Sequence, residues 1–327
     1  MPNNNTILIT GGCGFIGTSL IDALLQSGCS QPIRILDSLV TGTPEDLAEV
    51  ADFETLKSDQ LPQATKQVVL VQGDIRDVAL TEQVAQGVST IVHLAANTGV
   101  GPSVEDPRLD MECNVIGTFN MLEAARKQGV KKFVFASSGA PAGEVEPPIH
   151  EELPPHPVSP YGSSKLAGEG YCSSYNKTFG IDTICLRFGN VYGPRSKNKA
   201  SVVAKFIKQA LAGETCAIYG DGTQTRDFIY IFDLIRGIQT AMEAPVGGET
   251  FQIATGQERT VGEVAELIAQ NLEAHGKTMT ITHEAKRLGD VMRNYSDTSK
   301  AKAMLGWQPQ MQISEGIDET IRWFLAR

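Results

Sequence analysis

Short apolar runs recur through roughly the first 190 positions, near 6–10, 32–36, 68–72, 90–94, 132–136 and 182–186, each separated from the next by a longer stretch of mixed polarity. Those intervening stretches, clearest at Phe15 to Ser27 and Asn114 to Gln128, place apolar residues at the three-to-four spacing of a half-buried helix. Strand, helix, strand is the signature of βαβ units, because parallel neighbours need a crossover and the crossovers cover both faces of the sheet. The pattern predicts an α/β fold built on a doubly wound parallel sheet, with its ligand crevice at the carboxyl ends of the strands. Motifs that directly follow strands therefore converge. Beyond about residue 187 the alternation loosens, with helices predicted at 200–212, 233–243, 260–273 and 313–326 and short strands near 216–219, 228–231, 250–253 and 279–282. This region reads as a smaller C-terminal α/β domain. The expected boundaries are 1–180 for the first domain, rejoined by 226–245, and 181–327 for the second.

The first apolar run leads straight into Thr10-Gly11-Gly12-Cys13-Gly14-Phe15-Ile16-Gly17. Lacking a Cβ, Gly11 can turn the chain out of the strand, Gly14 can admit a ligand against the backbone, and Gly17 can let the next helix pack close. The N–H groups that open this helix, at Phe15 and Ile16, would face a phosphate. The second run ends in Asp37, twenty positions after Gly17, where a carboxylate accepts from ribose hydroxyls and repels a 2′-phosphate. The glycines alone fit any tight strand-to-helix turn. With the acid at this separation they predict a Rossmann-type site for NAD rather than NADP.

Composition narrows the partners. With 41% hydrophobic residues over 327 positions, the chain can bury a core of about two domains. A formal net charge of −10 argues against a nucleic-acid surface, which relies on clustered Lys and Arg. The six cysteines lack CxxC spacing and neighbouring histidines, which fits reduced thiols and predicts no metal site. No apolar stretch approaches the roughly 18 to 20 residues of a membrane span, and the polar start Met1 to Asn5 lacks the features of a signal peptide. The expectation is a cytoplasmic protein without membrane contact. Six of the sixteen prolines lie between Pro147 and Pro160, a stiff segment that serves either as a loop over a pocket or as a rigid connector.

Tyr161-Gly162-Ser163-Ser164-Lys165 follows that segment and opens a helix, so the spacing of four puts the tyrosine and lysine on one face. A tyrosine ionises near pH 10, so a phenolate working near pH 7 needs about three units, or roughly 4 kcal/mol, of stabilisation. An adjacent ammonium and an oxidised nicotinamide ring are the charges available to supply it.

At this point the chain resembles the extended short-chain dehydrogenase/reductase family, in particular its NAD-dependent nucleotide-sugar epimerases and dehydratases, and most of all the UDP-glucose 4-epimerase-like enzymes among them. The resemblance runs almost end to end, through Thr10 to Gly17, Asp37, Gly73 to Asp77, His93-Leu94-Ala95-Ala96, Asn114 to Thr118, Ser137-Ser138, Tyr161 to Lys165, Arg187 to Arg195, Gly220-Asp221-Gly222, Arg226-Asp227-Phe228 and Gly306-Trp307. It implies that Asp74 and Ile75 bracket the adenine, that Ala95, Ala96 and Asn114 line the nicotinamide side, and that Lys165 also holds the nicotinamide ribose. Close strand packing is the other use for the two alanines. Ser138 aligns with the family's catalytic hydroxyl, beside Tyr161 and Lys165.

The same resemblance makes the C-terminal domain the substrate-binding one, with Arg226 and Arg287 clamping a diphosphate, Asn190 bonding it, and Asp290 near the nucleotide ribose. Surface ion pairs are the alternative for both arginines. The implied partner is a UDP-sugar, and the helices at 114–128 and 161–179 resemble those that build a four-helix homodimer interface in relatives. Five positions in three places depart from the family. Pro141-Ala142 stands where Val-Tyr is usual, Leu288 replaces a proline, and Gly139 and Ala140 occupy the place where relatives that eliminate water or decarboxylate carry an acid. The last departure favours a UDP-sugar 4-epimerase, which needs only Ser138, Tyr161, Lys165 and NAD. A 4,6-dehydratase, a decarboxylase, a reductase and a non-catalytic NAD-binding module are the alternatives.

Overall fold

The protein is described here by a computed structural model covering residues 5–285 and 291–327. In chain order the strands are β1 (Thr6–Thr10), β2 (Ile33–Asp37), β3 (Phe53–Thr55), β4 (Val68–Gln72), β5 (Val88–His93), β6 (Lys132–Ser138), β7 (Asp182–Phe188), β8 (Asn190–Tyr192), β9 (Cys216–Tyr219), β10 (Thr225–Arg226), β11 (Phe228–Tyr230), β12 (Glu249–Ile253), β13 (Arg259–Thr260) and β14 (Ile281–Glu284). The helices are α1 (Phe15–Gln26), α2 (Pro44–Ala48), α3 (Val78–Val84), α4 (Val100–Glu105), α5 (Pro107–Met111), α6 (Gly117–Gln128), α7 (Pro160–Phe179), α8 (Val202–Leu211), α9 (Ile231–Glu243), α10 (Val261–Ala274), α11 (Ser299–Leu305) and α12 (Ile313–Leu325).

The main sheet has the order β12-β7-β6-β5-β1-β2-β4-β3. Its pairings from β3 across to β6 are parallel. Ile7, Leu8 and Ile9 of β1 are at most 2% exposed, as a central strand covered on both faces requires, which explains why these strands read as continuous rather than alternating apolar runs. Chain order runs outward from β1 through β2 on one side and from β5 on the other. The carboxyl ends of β1 and β5 thus form the switch point where such sheets bind ligands. Phe133 and Phe135 of β6 join Met121 and Leu122 of α6 and Tyr175 of α7 in one buried cluster.

The chain divides into two compact units, one of residues up to Gly143 with Pro154–Arg187 and Ile238–Phe251, the other of Glu144–Leu153, Phe188–Gly237 and Gln252–Arg327. This differs from the expected boundaries. β7 lies in the main sheet beside β6, so the first unit runs on through Arg187 rather than ending at 180, and its returning segment is 238–251 rather than 226–245, with β12 next to β7.

In the second unit β8 pairs with β11 and β9 with β14, both parallel, while β10 pairs antiparallel with β13. Fully buried Asp227 ties its loops together, accepting from Thr255 N at 2.7 Å, Gly256 N at 2.9 Å and Ser296 N at 3.3 Å. The Trp307 indole donates to Asp233 O at 3.0 Å. Among the described residues no helix is long and apolar enough to cross a membrane.

Candidate active site

The glycine loop between β1 and α1 is shaped by backbone contacts that leave no room for side chains. Gly11 has a φ of +70°, and a Cβ there would come within 2.9 Å of Ala95 N at the end of β5. A Cβ on Gly17 would fall 2.4 Å from Gly11 O and 2.6 Å from the Gly12 Cα, so α1 reaches the loop only because residue 17 is glycine. At Gly14 the nearest atom would be Gly11 O at 3.3 Å, and no side chain caps α1 at this N-cap position. An open glycine before a helix start without a side-chain cap is the cradle a pyrophosphate requires. Phe15 and Ile16, half-buried, form its first turn.

Asp37 is 8% exposed, and its carboxylate accepts from Cys13 N at 2.9 Å and Leu39 N at 2.8 Å. Burial pushes it up while these two donors pull it down. It therefore fastens the glycine loop to the end of β2, and each oxygen retains a lone pair for a ribose hydroxyl. Gly42 is a feature that the sequence motifs missed. A Cβ on it would stand 2.1 Å from Cys13 O, so the loop after β2 leans on the cofactor loop.

Farther along the sheet edge, Asp74 is gripped by Arg76 through Nη2 at 2.7 Å and the backbone N at 2.8 Å, and this pairing holds the carboxyl below its usual range. Ile75 is a core residue, 6% exposed, packed where Gly117 opens α6. Ala95 and Ala96 are half-buried, and Ala95 is the residue pressed against Gly11.

His93, fully buried at the end of β5, was read only as part of a motif. Its Nδ1 lies 2.8 Å from Thr10 Oγ1 and its Nε2 lies 3.0 Å from Thr118 Oγ1. Thr118 spends its proton on Asn114 O at 2.7 Å, so His93 Nε2 must donate and Nδ1 must accept from Thr10. The ring is therefore the neutral Nε2–H tautomer, and burial together with the Lys165 charge pushes its pKa down to about 3.

Residues Glu112–Ile116 form a π turn leading into α6, a widening common at functional sites. It turns Asn114 inward to 1% exposure, where Nδ2 meets Asn97 O at 2.9 Å, Asp110 Oδ1 at 2.9 Å and Ser164 Oγ at 3.1 Å, while Oδ1 accepts from Asn97 N at 2.8 Å. Both polar atoms are thus engaged within the protein.

Ser138 ends β6, and its Oγ accepts from Ala140 N at 3.2 Å. The Ser159 side chain caps α7 by accepting from Gly162 N at 3.1 Å, and Pro160 sets its first turn. A Cβ on Gly162 would lie 2.6 Å from Ala140 O, and one on Gly168 would lie 2.5 Å from the Phe135 ring. These two glycines let α7 approach the end of β6, bringing the Tyr161 phenol beside Ser138. Burial pushes that phenol up to about 12, with Ser138 pulling it down and Asp110 adding to the rise. Lys165, 3% exposed, donates to Ala136 O at 2.8 Å and lies 5.9 Å from the Tyr161 ring centre. Burial lowers its amine to about 8, opposed first by Asp110 and then by Glu169.

Behind these residues, Glu169 holds Arg187 through bonds of 2.8 and 2.7 Å and accepts from Ser137 Oγ at 2.6 Å. Ala142, standing where the family has tyrosine, is 1% exposed, and its carbonyl accepts from His156 N at 3.3 Å. His156 and Pro157, at the C-terminal end of the proline-rich segment, pack against this turn.

In the second unit, Asn190 starts β8 and its N–H donates to Asp227 O at 2.7 Å. Arg226, half-buried on β10, donates through Nη1 to Thr225 O and Val291 O, both at 2.7 Å. Arg287 and Asp290 lie outside the described residues.

The profile of the family described as "NAD dependent epimerase/dehydratase family" matches residues 7–254. A putative UDP-glucose 4-epimerase of Methanocaldococcus jannaschii is 38% identical over 97% of both chains, and a UDP-glucose 4-epimerase of Mycolicibacterium smegmatis is 36% identical over 97% of both. Among solved structures, the UDP-glucose 4-epimerase of Thermotoga maritima with UDP-glucose superposes with a TM-score of 0.87 at 34% identity, covering 98% of this chain and 99% of that one.

Proposed function

We propose, from the premise that this chain belongs to the NAD dependent epimerase/dehydratase family, that it is a UDP-sugar 4-epimerase. The observation that carries this reading is that the Tyr161 phenol stands beside Ser138, with Lys165 on the same helix face and the acid-free pair Gly139-Ala140 next in the turn after Ser138. NAD is the family's cofactor, and the open glycine loop, the α1 start and anchored Asp37 fit it. When bound, NAD would supply reversible hydride transfer at C4 of the sugar. Tyr161 takes the proton of the C4 hydroxyl, Ser138 holds that oxygen, and Lys165 keeps a positive charge beside the phenol and holds the nicotinamide ribose. Asp74 and Ile75 receive the adenine, and Ala95 and Ala96 the nicotinamide side. Asn114 stays in the cofactor-binding set, its amide also fixing residue 97 and α7.

Asn190 and Arg226 bind the substrate diphosphate, together with Arg287, and Asp290 binds the nucleotide ribose. Held by its phosphates, the 4-keto sugar can turn and receive hydride on its other face, so no external reductant is consumed. The homodimer belongs to the same proposal. Phe119, Tyr171 and Phe179 of α6 and α7 are 36%, 38% and 49% exposed, and Phe119 meets Tyr171 edge-on at 5.4 Å. That leaves an apolar helix pair for a second copy to cover.

The test is incubation with UDP-glucose, UDP-N-acetylglucosamine and UDP-glucuronate, with products separated by chromatography. The C4 epimer should appear without added reductant, and Tyr161→Phe should abolish it. A 4-keto-6-deoxy or decarboxylated product, or a cofactor absorbance change in proportion to product, would overturn the assignment.

A further inference from the structure

Three successive residues at the end of β6 are met by α7. Lys165 Nζ donates to Ala136 O at 2.8 Å, Ser137 Oγ donates to Glu169 Oε1 at 2.6 Å, and Ser138 stands beside the Tyr161 phenol. Tyr161, Lys165 and Glu169 follow one another at a spacing of four, so they share one face of the helix. Lys165 and Tyr161 belong to the chemistry above, whereas the bond between Ser137 and Glu169 has no part in it.

Ser137 and Glu169 are 3% and 7% exposed. Arg187, on β7 next to β6 in the sheet, clamps the carboxylate, with Nε on Oε1 at 2.8 Å and Nη2 on Oε2 at 2.7 Å. A buried ion pair adds little net stability, because desolvating both charges offsets their attraction, so this pair calls for another use. The guanidinium fork fixes both carboxylate oxygens and thereby presents Oε1 to the Ser137 hydroxyl. Beyond Ser137 the chain loosens, since Ser138 is half-buried and a Cβ on Gly139 would meet nothing within 4 Å. Ser137 is thus the last buried residue of β6, one peptide away from the reacting hydroxyl.

We propose that Ser137 is a positioning residue, tied by the Arg187-clamped carboxylate of Glu169 so that Ser138 and Tyr161 stay within reach of one sugar hydroxyl.

The direction of the tie follows from its partners. A clamped carboxylate has only lone pairs to offer, so the serine hydroxyl donates. Alanine at 137 removes that donor and leaves both Arg187 bonds to Glu169 in place, so no charge is orphaned. Strand and helix keep their close contacts at Gly162 and Gly168 but lose the bond that sets the strand end against α7. A displacement of about 1 Å between reacting groups costs up to about a hundredfold in rate. Asn190 and Arg226, proposed for the diphosphate, lie in the second unit and are not touched by the change.

The inference rests on the reading of Ser138 and Tyr161 as the reacting pair, and on no particular sugar. Two quantities are measured on Ser137→Ala. One is kcat and KM for whichever of UDP-glucose, UDP-N-acetylglucosamine and UDP-glucuronate the wild type converts; the other is the Tyr161 tyrosinate midpoint in the NAD complex without sugar. The kcat should fall about tenfold while KM stays within about twofold. The midpoint should rise by at least about half a unit, because the phenol leaves the hydroxyl that pulls it down. Ser137→Thr restores the hydroxyl and should restore both. Ser137→Cys, a weaker donor of similar size, is the second variant should alanine fail to fold, and it should move both quantities in the same directions. A Ser137→Ala protein that loses stability in urea while kcat and the midpoint keep their wild-type values would show a merely structural bond and overturn the proposal. So would a change confined to KM, or a stably folded Ser137→Thr protein as slow as Ser137→Ala. A midpoint that shifts in a protein converting no nucleotide sugar would overturn the epimerase reading alone.

Discussion

The charge state of Tyr161 offers the sharpest test of the proposed chemistry. In the protein without cofactor the phenol is pushed up to about 12, so ionisation at pH 7.5 would cost about 6 kcal/mol at 1.36 kcal/mol per unit. The Lys165 ammonium, 5.9 Å from the ring centre, does not offset burial, so a second positive charge is required. A unit charge at about 4 Å in an effective dielectric of 20 contributes about 4 kcal/mol, or roughly three units. Tyr161 should therefore titrate near pH 9 when oxidised cofactor is bound, leaving a few per cent phenolate at neutral pH, and should return to its high value with the neutral reduced ring.

The measurement is the tyrosinate absorbance of wild type minus Tyr161→Phe, recorded against pH without cofactor, with NAD and with NADH. The subtraction is needed because the chain has seven tyrosines. Burial pushes Tyr175, Tyr192 and Tyr230 up as well, which keeps their signals out of the working range. Below about pH 11 only the NAD-bound protein should show a Tyr161 component. Identical titrations with NAD and NADH would mean that the phenol does not feel the nicotinamide charge, and Tyr161 would lose its role as base.

The cofactor loop and the buried histidine give two further expectations. Gly17→Ala places a Cβ 2.4 Å from Gly11 O, which overpacks the loop by about 1 to 3 kcal/mol; NADH affinity by fluorescence should fall about tenfold or more, and a change under twofold would refute the fit. For His93 the folded value of about 3 lies below the ordinary imidazole value of 6.5, so the unfolded chain binds more protons between them and stability falls as pH drops through that window. From pH 7 to 4.5 the loss is about two units, or roughly 3 kcal/mol. Urea unfolding of His93→Gln should show a lower stability at pH 7 but a decline with acid smaller by that amount; an unchanged decline would exclude His93 as its source.

How far the sequence could be read follows from which interactions are local. β1, β4 and β6 are covered on both faces, so their runs stand out, whereas β3 is a half-exposed edge of three residues, β8 has three, and β10 and β13 have two each. The roles of Gly11 and Gly17 were legible because loop and helix start are contiguous. The grip of Cys13 N on Asp37, the pressure of Gly42 on Cys13 and the His93 tautomer were not. Each joins chain segments brought together only by the sheet, and no period or spacing encodes such a meeting. The Asn114 contacts belong with these, since its motif gives no sign that a π turn directs the amide onto Asp110 and residue 97. Tyr161 and Ser138 were paired by motif, but the physical cause is Gly162, which lets α7 settle against Ala140.

The distribution of carboxylates around this helix bears directly on which reaction the site can run. Two act on Lys165 electrostatically, Asp110, which accepts from Asn114, and Glu169, clamped by Arg187 and Ser137. Both are buried and hydrogen-bonded, so neither is available to take a proton from carbon. The turn that follows Ser138 carries glycine, alanine and proline instead of an acid. Among the described residues of the β6 end and the first turns of α7, the Tyr161 phenol is therefore the group left to exchange a proton with a sugar. One base suffices to oxidise and re-reduce a carbinol carbon. Eliminating water across a neighbouring bond needs a second acid or base, which this turn does not supply.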